Sequence, residues 1–397
     1  MNRRSFLHAA AASTVASTLS GLALSKSSVG AIHPPDNAFV ATLPHLLDLA
    51  TLPGLGVAVV GPGQPLWQHY EGVANLTTKT PITANSVFPG ASMGKPIFAC
   101  LVLKLAQEGA IDLDRPLNQY LQEDALTGQW ADKVTPRHVL THSTGLPNWR
   151  SRDDDKLTPT FEPGTRFQYS GEGFFHLQRV VEHISGSGFE SLVQERIFKP
   201  LGMSSTTYIW VPDGNERVVA GHNGPRAFYN RDIAIMVFDI IQASGKPLAF
   251  WTCEQIADAL MKKTGKSTPP PASSFVPNVA FSLLTTVPDF ARFLYALVDP
   301  QNATLGLSPA MRTAMQAPVS HVNSALSWGL GVGIEQVDGQ SYLWQWGDNG
   351  GWKNFMLVHP PTRTGIAVFS NGSNGQRVNE RILRAATGID QPVFLWV

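Results

Sequence analysis

A serine and a lysine three positions apart, Ser92 and Lys95, stand at the head of an apolar stretch. On a helix that spacing puts both side chains on one face, a turn apart. A helix start offers free backbone N–H groups and the positive end of the helix dipole, which together can stabilise a developing oxyanion. A lysine buried there loses basicity, because burial disfavours the charged form, and its amine can then take a hydroxyl proton. Pro96 fits the first turn, where its missing N–H costs nothing. The plainer reading makes Ser92 a helix cap and Lys95 a surface lysine. The apolar neighbours Met93, Ile97, Phe98 and Leu101 argue against a solvated amine. Gly90-Ala91-Ser92-Met93-Gly94 also matches G-x-S-x-G, the nucleophile turn of α/β-hydrolases. That fold needs a strand before the turn and a distant base such as His359. Thr83 to Pro89, containing Asn85 and Pro89, makes a poor strand. Both motifs select Ser92 and differ on the base.

The 397 residues carry 43 % hydrophobic side chains, 15 % charged ones and no net charge. A core can form, and a nucleic-acid binder, which needs a basic surplus, is excluded. The run Asp153-Asp154-Asp155 reads as a solvated loop. Cys100 and Cys253 lack redox or zinc spacing, and sequence leaves open whether they pair. His176 and His183 lie seven apart on one helix without an H-E-x-x-H pattern, so no metal is expected. Arg3-Arg4 precede an Ala/Ser/Thr-rich stretch and the small residues Val29-Gly30-Ala31. Residues 1–31 are therefore expected to be a twin-arginine export signal leading to a periplasmic or secreted product. No later apolar run is long enough to span a bilayer.

The elements that must position Ser92 follow from periodicity. Leu55–Val60 and Pro65–Val73 flank Gly61-Pro62-Gly63 and predict a hairpin. Met93–Gln107 is apolar on all sides and predicts a buried helix. Amphipathic spacing predicts helices over 172–184, 254–263, 289–298 and 376–386. Trp328–Glu335, Tyr342–Trp346, Asn354–His359 and Gly365–Ser370 read as strands. Strands at both ends with helices between them imply one antiparallel sheet flanked by helices, with an inserted helical part. The expected boundaries are 36–113 plus 288–397 for the sheet domain and 114–287 for the helical subdomain, with an atypical segment at 212–278.

Ser92-Met93-Gly94-Lys95, Leu140-Thr141-His142-Ser143-Thr144-Gly145-Leu146-Pro147, Pro163-Gly164-Thr165-Arg166-Phe167-Gln168-Tyr169-Ser170 and Ile197-Phe198-Lys199-Pro200-Leu201-Gly202-Met203 follow in order. Together they resemble the class C β-lactamase and penicillin-binding-protein-like serine hydrolases, which include the family VIII carboxylesterases. The resemblance spans roughly 40–397 and is poor over 212–278. It implies an α+β fold around a five-stranded antiparallel sheet, catalysis by Ser92, Lys95 and Tyr169, and no cofactor. Two departures stand out. The family's Tyr-x-Asn has Gly171 in place of Asn. Its late Lys- or His-x-Gly motif matches Lys263-Thr264-Gly265 literally, but that triplet reads as a helix end.

Asp348-Asn349-Gly350-Gly351, at a strand end, is the better counterpart. It makes the Gly351 N–H the second oxyanion donor beside Ser92 and puts Asp348 in the basic residue's place. A carboxylate there would repel an anionic substrate unless Lys353 or Arg150 compensates. The expected substrate is therefore a small ester or amide, with Trp149, Trp346 and Trp352 as candidate cleft walls. Alternatives are β-lactam or D-Ala-D-Ala chemistry, and a non-catalytic ligand-binding or sensor protein on the same fold.

Overall fold

The computed structural model describes residues 30–122, 125–150, 156–211, 214–229 and 231–397. The expected leader up to residue 29 and the Asp153–Asp155 run lie outside them. Strands β1 (Gly54–Gly61) and β2 (Gln64–Gly72) form the expected hairpin, with Gly63 at φ +95° in the turn. The C-terminal part supplies β3 (Ser320–His321), β4 (Leu326–Trp328), β5 (Gly333–Val337), β6 (Gln340–Asp348), β7 (Lys353–His359) and β8 (Thr364–Ser370). All pair antiparallel in one sheet, ordered β2-β1-β8-β7-β6-β5-β4-β3.

The sheet thus has eight strands, where five were expected. Part of the difference lies in Trp328–Glu335, which reads as one strand in sequence. Gly331 takes φ +85° and the Gly329 N–H turns back onto the Val332 carbonyl at 2.9 Å, which splits the run into β4 and β5. The short β3 then extends the edge.

Five helices frame the sheet and the site: α1 (Gly94–Gln107), α2 (Gly171–Ser185), α3 (Cys253–Thr264), α4 (Val287–Val298) and α5 (Gly375–Thr387). Side chains alternate across the sheet with period two. Val57, Val59, Leu357 and Val368 face a layer that includes α5. Ala58, Val60, Met356 and Phe369 face the opposite layer, with α1 and α4. Helix α1 is buried continuously from Gly94 to Leu103, which is why its sequence shows no polar stripe. No helix among the described residues is long and apolar enough to cross a membrane.

Leu357 is fully buried between sheet and helices, whereas Leu49 is 68 % exposed. Leu357→Ala should cost about 2–5 kcal/mol in urea unfolding, the usual range for emptying a packed leucine site. Leu49→Ala should stay within about 0.5 kcal/mol. Equal costs would contradict this layering.

Candidate active site

Helix α1 does not begin on Ser92. A single 3-10 turn, Ala91–Met93, precedes it, and Ala91 sits at φ +51°. A residue with a Cβ seldom adopts that conformation unless its surroundings impose it. Here the Gly90 N–H is held by the Leu283 carbonyl at 2.7 Å. Ser92 makes no capping bond. Its Oγ donates to the Ala280 carbonyl at 3.2 Å and lies 2.8 Å from Lys95 Nζ, which itself reaches the same carbonyl at 3.2 Å.

Lys95 is 1 % exposed, and among the described residues no carboxylate pairs with it. Its nearest rings are those of Tyr169 and Phe174, with centroids 4.9 and 5.6 Å from Nζ. Burial alone pulls the ammonium well below the ordinary lysine pKa. The arrangement therefore favours a neutral amine against the serine hydroxyl.

Tyr169 is brought in by two braced loops. Helix α2 starts just after it, with Ser170 as cap: Ser170 Oγ accepts from the Gly173 N–H at 2.9 Å and donates to the Pro147 carbonyl at 2.7 Å. The Gln168 N–H donates to the His142 carbonyl at 2.7 Å. The Ser170 N–H donates to His142 Nδ1 at 3.0 Å, which places the imidazole proton on Nε2. That ring stacks on Tyr169 at 4.1 Å, and Trp346 closes the other side at 4.6 Å. Burial holds His142 well below its usual pKa, so it serves as a neutral wall. His142 belongs to a stretch the sequence singled out, but its position behind Tyr169 could not be read there. Burial pushes the Tyr169 phenol above its ordinary pKa, and hydrogen bonding with Ser92 and Gln345 offsets part of that rise.

The third side of the site is β6, and here the structure corrects the sequence reading. The residues beside Ser92 and Tyr169 are Gln345 and Gly347, not Asp348–Gly351. Gly347 lies so close to Gly90 that an added Cβ would stand 2.2 Å from the Gly90 carbonyl oxygen. Asn354, paired with Gly347 across β7, donates to the Pro89 carbonyl at 2.9 Å. Gln345 is fully buried, and its Nε2 reaches the Tyr169 hydroxyl at 3.4 Å. The Gly351 N–H, expected at the oxyanion, is instead bonded to the Asn349 carbonyl at 3.0 Å, and Gly351 abuts Phe228 and His222.

Asp348 is exposed and forms an ion pair with Lys353, its cross-strand neighbour, at 2.5 Å. The expected repulsion is offset there. Asn349 donates to the Phe281 carbonyl at 3.2 Å, and Gly350 donates to Asp348 Oδ1 at 2.8 Å. The signal in sequence is Gln345-Trp346-Gly347, an x-x-Gly triplet across the end of the strand expected over Tyr342–Trp346. It was hidden because Gln is not basic.

Other residues singled out in sequence play different parts. Gly171 cannot carry a side chain, because a Cβ there would come within 2.7 Å of the Trp149 ring and 3.0 Å of the Asn148 carbonyl. The departure from Tyr-x-Asn thus accompanies a Trp packed over that position. Trp352 is 1 % exposed, donates to the Val219 carbonyl at 2.9 Å and forms part of a narrow pocket with Phe281, Asn349 and Tyr229. That pocket draws part of its wall from the 212–278 segment. Arg150 pairs with Glu172 at 3.1 Å.

Lys263 and Thr264 end α3, with Gly265 as a left-handed cap. His359 bonds Thr362 at 2.7 Å at the far end of β7 from Asn354, roughly 17 Å along the strand. Only three residues, Val87–Pro89, form a strand before the turn. The α/β-hydrolase reading therefore fails. Cys100 and Cys253 are separate buried thiols. Among the described residues no His, Cys, Asp and Glu cluster has a metal-binding arrangement.

The family model described as Beta-lactamase matches residues 39–388. Penicillin-binding protein 4 of Amycolatopsis lactamdurans is 24 % identical over 344 residues, 81 % of each chain. Esterase EstB of Burkholderia gladioli is 29 % identical over 187 residues, 40 % of this chain and 47 % of its own. Several other curated relatives are matched over only 35–50 % of their length. Among solved structures, the octameric penicillin-binding protein homologue from Pyrococcus abyssi superposes with a TM-score of 0.68 at 19 % identity, covering 90 % of this chain and 79 % of that one. At that identity the likeness concerns the fold.

The contact of Gly347 with Gly90 gives a test. Gly347→Ala should force β6 off the Ser92 turn and slow modification of Ser92 by a fluorophosphonate at least tenfold. Gly350→Ala, at φ +76° with open space around it, should cost only the left-handed strain of about 1–2 kcal/mol and leave that rate within a factor of about two. Equal effects would contradict the placement of β6.

Proposed function

Because the chain belongs to the Beta-lactamase family over residues 39–388, we propose that it is a serine hydrolase that forms an acyl-enzyme on Ser92, with a carboxylic ester as its preferred substrate. The observation that carries this reading is Lys95 Nζ at 2.8 Å from Ser92 Oγ, buried and without an acidic partner among the described residues. A neutral amine there takes the serine proton as Oγ attacks the carbonyl. Tyr169, a protonated phenol at neutral pH, stabilises the transferring proton and delivers one to the leaving alcohol. Water then attacks the acyl-enzyme and gives its proton to the Tyr169 oxygen, while Lys95 returns its proton to Ser92 Oγ as the acid leaves. The pair titrates as a unit. The Ser92 N–H is one oxyanion donor. With the Gly351 N–H engaged elsewhere, the end of β6 at Gly347–Asp348 supplies the other.

Preference for an ester over a carboxylate-bearing β-lactam or peptide is supported by the charge balance of this wall among the described residues. Gln345 is neutral, and Lys353 is neutralised by Asp348. The esterase among the relatives makes the chemistry reasonable for this family.

Ser92→Ala should lower kcat/KM for p-nitrophenyl acetate by at least about 10³-fold, the scale of losing a nucleophile. Mass spectrometry should find one fluorophosphonate adduct, on Ser92. The rate should fall on the acid side as Lys95 becomes protonated, since only its neutral form accepts a proton. Because burial lowers that pKa, activity should persist well below the ordinary lysine range. Absence of any adduct would favour a ligand-binding role, and nitrocefin turnover as fast as ester turnover would remove the ester preference.

A further inference from the structure

Gln345 is a buried amide on the inner face of β6, two residues before the strand meets the Ser92 turn. Its two ends can be told apart. Nε2 lies 2.7 Å from the Trp346 carbonyl, which can only accept, so the nitrogen must be the atom facing it. The second N–H of that nitrogen is the one directed at the Tyr169 hydroxyl, 3.4 Å away. Oε1 is buried without a partner, so the side chain is held by what its nitrogen does.

A phenol oxygen that receives an N–H must turn its own proton elsewhere. The ring is fixed between His142 and Trp346, and the remaining polar neighbours are Ser92 and the Lys95 amine. A basic side chain at this point would donate in the same direction, but it would add a charge that favours phenolate and attracts a substrate carboxylate. Gln345 supplies the donor without the charge.

We propose that Gln345 is a positioning residue: its amide N–H, locked by the Trp346 carbonyl, holds the Tyr169 phenol by its oxygen, aims the phenol proton at Ser92 and keeps this wall of the site uncharged. The inference rests on the serine-hydrolase reading for its catalytic consequence, though not for the phenol's ionisation. In that reading Gln345 never touches substrate. It sets which way one proton points, and its neutrality favours uncharged esters over substrates that carry a carboxylate.

Two substitutions test it. Gln345→Met keeps length and removes the donor; kcat for p-nitrophenyl acetate should fall 10- to 100-fold with KM within twofold, while fluorophosphonate still labels Ser92. Gln345→Lys restores a donor with charge; kcat should recover at least partly, the alkaline limb of its pH profile should move down by at least one unit, and the ratio of nitrocefin to ester turnover should rise at least tenfold. Thermal unfolding separates these effects from misfolding.

The phenol can also be followed without catalysis, by ultraviolet difference titration with the Tyr169→Phe signal subtracted. Gln345→Lys should lower its titration midpoint by at least one unit relative to Gln345. An unchanged midpoint would overturn the proposal whether or not the wild-type protein hydrolyses esters. So would folded variants with wild-type kcat and pH profile. A wild-type protein that leaves Ser92 unlabelled but shows the midpoint shift would retire the hydrolase reading and keep the Gln345–Tyr169 contact.

Discussion

The burial of one amine against one hydroxyl sets the terms for the rest of the molecule. An ammonium ion taken out of water without a counter-charge is strongly disfavoured, and the group gives up its proton instead. Lys95 is enclosed by α1, by the Tyr169 and Phe174 rings and by the Ala280 carbonyl, with Ser92 as its polar neighbour. A carboxylate introduced beside it would make a comfortable salt bridge and remove the base. The apolar character of α1, the central layer position of that helix and the strained Ala91 turn can be understood as conditions for keeping that pair dry and aligned.

The second condition is that a phenol from a separate part of the chain reaches the same point. The loop ending at Asn148 and the segment before α2 are tied by successive bonds from Gln168 and Ser170 and by the bond of Gly171 to Asn148 Oδ1. His142 joins the two, since its carbonyl and ring nitrogen both accept from the Tyr169 segment while its ring stacks on the phenol. The sheet contributes the third wall by pressing Gly347 onto Gly90. A glycine is required because the two backbones approach more closely than a Cβ allows. The sheet wall is thus fixed by a close backbone approach, and the Tyr169 wall by backbone and side-chain bonds together.

Much of this was legible in the residues and some was not. The hairpin at Gly61–Gly63, the buried helix from Gly94 and the amphipathic helices at 171–185, 253–264 and 287–298 follow from periodicity and turn chemistry, which are local. Part of the shortfall in strand number comes from two glycines that divide a continuous β-rich run, and part from the short edge strand β3. Ser92 and Lys95 could be found by spacing, and Tyr169 by family resemblance. The role of Gln345 could not be found, because nothing local marks an uncharged amide as the neighbour of a residue 176 positions away. Asp348–Gly351 attracted attention as a glycine-rich strand end, yet its polar groups satisfy one another: Gly351 with Asn349, Gly350 with Asp348, Asp348 with Lys353. The Asp348 carboxylate and the Gly350 and Gly351 N–H groups, closed on one another in this way, have little left to offer a ligand.

If burial governs this site, Lys95 is a neutral amine in the resting protein. Reductive ¹³C-methylation followed by an NMR titration, with the Lys95 signal assigned by its loss in Lys95→Met, measures this directly. The expected midpoint lies well below that of the surface lysines, with the amine uncharged at neutral pH. A Lys95 signal that titrates with the other lysines, near pH ~10.4, would contradict it.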